Sequence, residues 1–296
     1  MLAQPPAPQR TGANMANSGH ETDTHRHVLY PGTELRWPAS VVWRDGEPII
    51  RKISTADVWN ALGKGIDDFR AMPTYVFFAC VIYPVVGIIL ARLMFGYELL
   101  PLIYPMAAGF ALLGPIVAIG LYELSRRREL GLDISPARAF DVLHRPAIGA
   151  IWRLGLLLAA IFVAWLYAAN LIHTQIFGGE ASTPSQFWHQ LTTTAKGTQL
   201  IIAGNIVGFL FAVVVLAISV VSFPMLVDRD VSAATAVRTS VRATVENPGP
   251  VALWGLIVAI GLLLGALPFL FGLAIVLPIL GHATWHLYRK LVPTAG

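Results

Sequence analysis

Long uncharged apolar runs alternate with short polar stretches along this chain. The first run spans Pro73 to about Phe95 and meets no charge until Arg92; the second spans Leu99 to Tyr122. Further runs follow at Gly149 to Leu171 and Leu200 to Val227, and the last extends from Val251 to Leu287. About twenty apolar residues cover the hydrocarbon core of a bilayer as a helix, so each of the first four predicts one crossing. The last is too long for one helix at ~1.5 Å per residue and divides at Gly265-Ala266-Leu267-Pro268 into two. The expected fold is an all-α polytopic membrane protein with six transmembrane helices, arranged as three helical hairpins.

The polar stretches repeat a pattern. Three times a serine opens a short amphipathic segment ahead of a pair of apolar runs: STADVWNALGKGIDDF from Ser54, SPARAFDVLHRPAIGAIW from Ser135 and SAATAVRTSVRATVENP from Ser232. In each, an alanine stands two positions after the serine and a proline (Pro73, Pro146, Pro248) closes the segment. The spacing predicts a cytoplasmic amphipathic helix before each hairpin, lying on the membrane rather than crossing it. Val58, Leu62, Ile66 and Phe69 form the apolar face of the first. Upstream, residues 1–27 are polar and rich in Pro, Gly and Asn, which predicts a disordered tail. In residues 28–53, Asp45-Gly46 between two apolar runs predicts a small hairpin or extended arm. Residues 54–292 form the expected membrane domain.

Composition sets the solvent. Apolar residues make up 55% and charged residues 13% of the chain, and mean hydropathy is +0.63. A water-soluble domain carries about a quarter charged residues. Nineteen of the twenty-one Lys and Arg fall in the segments on one side of the six predicted crossings, leaving Arg92 and Lys196 for the other. The positive-inside rule places that side, with both termini, in the cytoplasm, and the expected location is a bacterial inner membrane. The basic surface is accounted for by orientation and anionic lipid headgroups, so nucleic acid is not an expected partner. The one cysteine, Cys80, lies inside an apolar run, which excludes a disulfide framework and a thiolate metal site.

Chemistry is sparse. Polar groups within the apolar runs are the first suspects. Arg92 with Glu98 reads as a local pair near the outer end of the first run. Glu123 ends the second run beside Arg126–Arg128 and reads as an interfacial anchor, with a proton site as the rival. Asn170 and Asn205 are expected to bond between helices. Asp67 and Asp68 are adjacent and so do not face one another on a helix; with Arg126, Arg127 and Arg128 they are assigned to the cytoplasmic surface. His282 and His286, four apart on one helix face, have the spacing of two metal or haem ligands but lack further ligands, so no cofactor is expected. Gly109, Gly114 and Pro115 in the second run read either as close-packing positions or, at Gly114-Pro115, as the break of a transporter helix. Trp152, Trp165, Trp188, Trp254 and Trp285 are expected in interfacial belts. The stretch between the third and fourth runs, His173 to Gly197, is expected to be a long outer loop. No Walker loop, dinucleotide fingerprint, HExxH or GxSxG occurs.

Three stretches carry a resemblance: ALGKGIDDFRAMP (Ala61 to Pro73), LLPLIYPMAAGFALLGPIVAIGLYELSRRRELG (Leu99 to Gly131) and VLPILGHATWHLYRKLV (Val276 to Val292). They resemble a family of bacterial inner-membrane proteins catalogued as domain of unknown function 2189, some of whose members are labelled cytochrome c oxidase subunits. The resemblance implies the fold and no catalytic residues. Haem-copper catalytic subunits need about six histidine ligands on some twelve helices, more than this chain offers. The expected function is that of a non-catalytic accessory, assembly or scaffold component of the membrane, with other inner-membrane proteins as partners. A small-solute transporter or channel and a haem- or metal-binding redox protein are the alternatives.

Overall fold

The computed structural model describes residues 43–44, 47–72, 74, 101–178, 183–268 and 270–293. The expected tail, most of the arm, Asp45-Gly46, the first crossing with Cys80 and Arg92, and Glu98 lie outside the described residues. A two-residue antiparallel ladder, β1 (Trp43–Arg44) with β2 (Glu47–Pro48), flanks Asp45-Gly46. The other regular elements among the described residues are helical, eleven of them α-helices.

Three of these are long and apolar enough to cross a membrane. They are α5 (Ile148–Phe177), the continuous stretch Ala195–Asp228 and α10 (Pro248–Ala266). Within the second, α7 (Ala195–Ser219) bends at Val220-Val221 into α8 (Ser222–Asp228). At ~1.5 Å per residue these two stretches exceed a hydrocarbon core of ~30 Å, so each continues beyond it. Their most apolar windows are only 17–33% buried. Trp152, Val163, Tyr167, Ile202, Phe209, Leu256 and Leu263 are all exposed on them, more large apolar surface than a water-facing helix ordinarily carries.

The expected second crossing is not one helix. It consists of α2 (Ile103–Phe110), a 3-10 turn (Ala111–Leu113), α3 (Gly114–Val117) and α4 (Ile119–Glu129). Pro115 sits in the first turn of α3, where its missing N–H costs nothing but cannot continue the preceding helix. The expected outer loop, His173 to Gly197, is also largely helical: α5 runs on through His173 to Phe177, and α6 (Pro184–Thr193) starts at a Thr183–Gln186 capping box. The final apolar run does divide near Pro268, into α10 and α11 (Leu273–Leu291), and α11 accommodates Pro278 in its interior. These two pack closely: side chains added at Gly261 and Gly265 would meet Val276, Leu280 and Leu273.

The tightest core lies at one end of the bundle. There α4, α8 and the C-terminal half of α11 meet one another and bury Tyr122, Leu124, Phe223, Met225, Trp285 and Tyr288. Around them sit the three segments singled out by the serine pattern. The first, α1 (Thr55–Ala71), lies along α11; a 3-10 segment (Pro136–His144) lies on α4; and α9 (Ala233–Glu246) lies on α7 and α8. Ser54 caps α1 in a reciprocal box with Asp57, and Ser232 caps α9. The middle segment differs: it is 3-10, and Ser135 makes no side-chain cap bond. The three segments therefore share no common helix type, the first and third being α-helical and the middle one 3-10.

Asn247, at the junction of α9 and α10, ties in the chain ahead of α1. Its Oδ1 accepts from the Ile53 N–H at 2.8 Å, and its Nδ2 donates to the carbonyls of Arg51 (3.2 Å) and Ala243 (3.1 Å). The Arg51 N–H in turn donates to the Leu291 carbonyl. Asn247 is 3% exposed, so Asn247→Ala would leave a backbone donor and acceptor unmatched, at an expected cost of about 1–3 kcal/mol. Thermal unfolding in mild detergent reads this directly, and an unchanged midpoint would show that water replaces the amide.

Candidate functional site

Two properties of the sequence bring the buried polar groups together. Ser125 and Arg128 are three apart on α4, and His282 and His286 four apart on α11, so each pair shares a helix face. Gly65 lets α1 approach α11 almost backbone to backbone, because a side chain there would collide with Ala283. The short carboxylate of Asp68, one turn further along α1, therefore reaches both faces.

Asp68 is the hub. Its Oδ2 accepts from Ser125 Oγ at 2.6 Å and from His286 Nε2 at 2.9 Å, and its Oδ1 accepts from the Arg128 guanidinium. Ser125 Oγ also lies 2.8 Å from His282 Nδ1. A hydroxyl has one proton, and here it goes to the carboxylate, so His282 donates to Ser125 from a protonated Nδ1. Burial pushes the Asp68 carboxyl up, but the bonds from His286, Ser125 and Arg128 outweigh it and hold the group below its ordinary value of 3.8. Beside the hub lies a polar cavity of about 430 Å³, bordered by Lys64, Asp67, Glu129, Arg289 and Lys290. Lys290 reaches Asp57 at 2.9 Å, and with the Ser54 backbone N–H it lowers that carboxyl to about 2.

A second cluster surrounds Glu123, which is fully buried. Arg126 binds it through two parallel bonds of 3.0 Å, and Arg145 approaches to 3.0 Å from the loop before α5. Arg127 stands 3.9 Å away and bonds Asp141 at 3.1 Å. A third joins α8, α4 and α11: Tyr288 donates to Asp228 at 2.7 Å, while Arg289 clamps Glu129 and Trp285 Nε1 donates to the same carboxylate.

These positions revise part of the sequence reading. Asp68 and Arg126 are not surface groups; they are 3% and 4% exposed, because α11 covers one side of α1 and the 3-10 segment covers α4. Asp67 stays exposed beside Arg70, Arg128 is partly exposed, and Arg127 is largely covered. Glu123 is enclosed by protein rather than anchored at an interface. Gly109 packs against Phe162 and Trp165, whereas none of the described residues lies within 4 Å of a side chain added at Gly114. Trp165, Trp254 and Trp285 are buried within the protein and do not belong to an interfacial belt, unlike Trp152 and Trp188, which are exposed. Ser125, Arg145, Asp228, Glu129 and Asn247 went unrecognised in the sequence. Asp228 alone gave a signal there, as a carboxylate closing a long apolar run.

The arrangement is poor at catalysis. Nucleophile activation needs an imidazole that takes the hydroxyl proton; here the hydroxyl donates to the carboxylate, the imidazole donates to the hydroxyl, and Ser125 is 1% exposed. Among the described residues no three His, Cys, Asp or Glu side chains are grouped to hold a metal ion. Both imidazoles of the predicted ligand pair are instead turned to the Asp68–Ser125 hub.

Comparison with proteins of curated function and with solved structures gives no match. Residues 103–228, from α2 through α8 and including Glu123, Ser125 and Asp228, match the model of a family described as predicted integral membrane protein (DUF2189), the family that the second apolar run resembles.

Proposed function

We propose that this chain is a non-catalytic accessory, assembly or scaffold component of a bacterial inner membrane, in a respiratory or similar complex. It crosses the membrane six times, with both termini in the cytoplasm. The observation that carries this reading is the use made of the buried ionisable groups. The buried Asp68 and Glu123 and the exposed Glu129 are each engaged by an arginine; the bonds of Asp68 and Glu129 run between helices, while Glu123 is held by Arg126 of its own helix and Arg145 of the loop before α5. Groups spent on holding α1, α4, α8 and α11 in register are not free for proton transfer or substrate binding.

The test is to tag the C-terminus, extract native membranes in mild detergent and identify what co-purifies in stoichiometric amount. Respiratory or assembly subunits are the expected result; an enzymatic activity abolished by one substitution would overturn the reading. Reporter fusions after Gly131 and Glu246 are expected to read cytoplasmic, and after Thr183 periplasmic. One observation favours a small-solute transporter instead: the break between α2 and α4, with no described residue within 4 Å of a side chain added at Gly114. On that reading Gly114→Cys, in a Cys80→Ser background, reacts with a membrane-impermeant thiol reagent. Failure to react removes its support.

A further inference from the structure

A groove of about 550 Å³ runs between the start of α5 and α9. Its floor is apolar, formed by Leu154 and Leu157 of α5 with Val237 and Val241 of α9, and two arginines, Arg153 and Arg238, stand along it. Leu157 and Val241 remain 42% and 38% exposed, so the floor is open.

The arginines set this groove apart from the rest of the basic end. Arg126, Arg128, Arg145 and Arg289 are all committed to carboxylates, and Arg242 at the groove's edge is held by Glu47 and Glu246. Arg153 and Arg238 are exposed and make no ion pair among the described residues. Arg153 is oriented by a bond from its Nε to the Gly149 carbonyl, 3.2 Å, which leaves its terminal nitrogens unused. The groove also lies where a headgroup would be. Trp152, next to Arg153, is 69% exposed, and the apolar exposed face of α5 begins one turn later at Leu156. An exposed tryptophan at the start of a membrane helix marks the interface.

From these observations we infer that the groove binds one anionic phospholipid, its phosphate held by Arg153 and Arg238 and the first part of an acyl chain lying on Leu157 and Val241. Charge complementarity selects an anion, since two guanidiniums lack a carboxylate. The apolar floor selects a lipid over free phosphate, which has no use for it. The site would couple the position of α9 to α5 through the bilayer's own composition, independently of any protein partner.

Native mass spectrometry of the delipidated full chain in mild detergent tests this, with phosphatidylglycerol and phosphatidylcholine of the same chains as probes. Phosphatidylglycerol is expected to bind more tightly by about 25-fold, the equivalent of ~1 kcal/mol per arginine. The paired change Arg153→Gln and Arg238→Gln is expected to abolish that preference, while Arg70→Gln with Arg138→Gln leaves it intact. Leu157→Asn with Val241→Asn is expected to weaken both lipids alike. All six substituted side chains are exposed, so the variants are expected to fold. A preference unchanged by the first pair, or lowered equally by the control pair, overturns the inference. So does displacement of the lipid by inorganic phosphate, or a dimer of the chain that disappears with the first pair.

Discussion

Replacing Glu123 with alanine is expected to destabilise the protein by about 3–5 kcal/mol, because it leaves the Arg126 and Arg145 guanidiniums buried without their counter-charge. A buried ion pair adds little over a well-packed apolar substitute, but removing one partner exposes the other's full desolvation cost. The damage should therefore be asymmetric. Glu123→Leu combined with Arg126→Met and Arg145→Met is expected to unfold at a higher temperature than Glu123→Ala, although it deletes more charge. If the single variant melts like the parent, the arginines reach water and the cluster does not hold the bundle end.

The second large effect is expected at Asp68. Asp68→Ala removes the acceptor shared by Ser125, His286 and Arg128, and is expected to cost about 3 kcal/mol or more. It should act locally first, releasing α1 from α11, which hydrogen exchange of the α1 amides detects. Acid is expected to do the same reversibly. Asp68 and Asp57 both sit below their ordinary value of 3.8 in the folded chain. A carboxyl with a depressed folded value stabilises the fold fully above its unfolded value, and that stabilisation is lost as pH falls through the folded one. For Asp57 the window runs from 3.8 down to about 2, with a small contribution because the group is well exposed to solvent. Protection of α1 is thus expected to fall as pH drops below 4. In Asp57→Asn/Asp68→Asn it should be low throughout and insensitive to pH over that range. Loss of protection beginning near pH 6 in the parent chain would shift the cause to histidine.

Apolar runs and their breaks were readable because membrane helices announce themselves locally. The solvent excludes unpaired backbone groups, so some twenty consecutive apolar residues suffice to predict a helix. Hence α5, the 195–228 stretch and α10 lie where the hydropathy placed them, and the division near Pro268 falls between α10 and α11. The serine caps of α1 and α9 were equally local, resting on bonds across three residues. Boundaries failed where local rules compete. Apolarity is needed to cross lipid but not to be helical, so α5 and α6 continue through the polar segment expected to be an outer loop. Conversely Pro115 opens a new helix within a run whose hydropathy is continuous.

The sequence by itself determined the solvent and the approximate spans, because both depend on residue type summed over neighbouring positions. Only the tertiary structure decided which charges are surface and which are core. Asp67 and Asp68 are chemically identical neighbours, yet one faces water and the other binds a serine 57 positions away and a histidine 218 positions away. No local pattern encodes that choice. It follows from the close approach that Gly65 allows between α1 and α11, which turns one face of α1 inward and leaves the next residue outside.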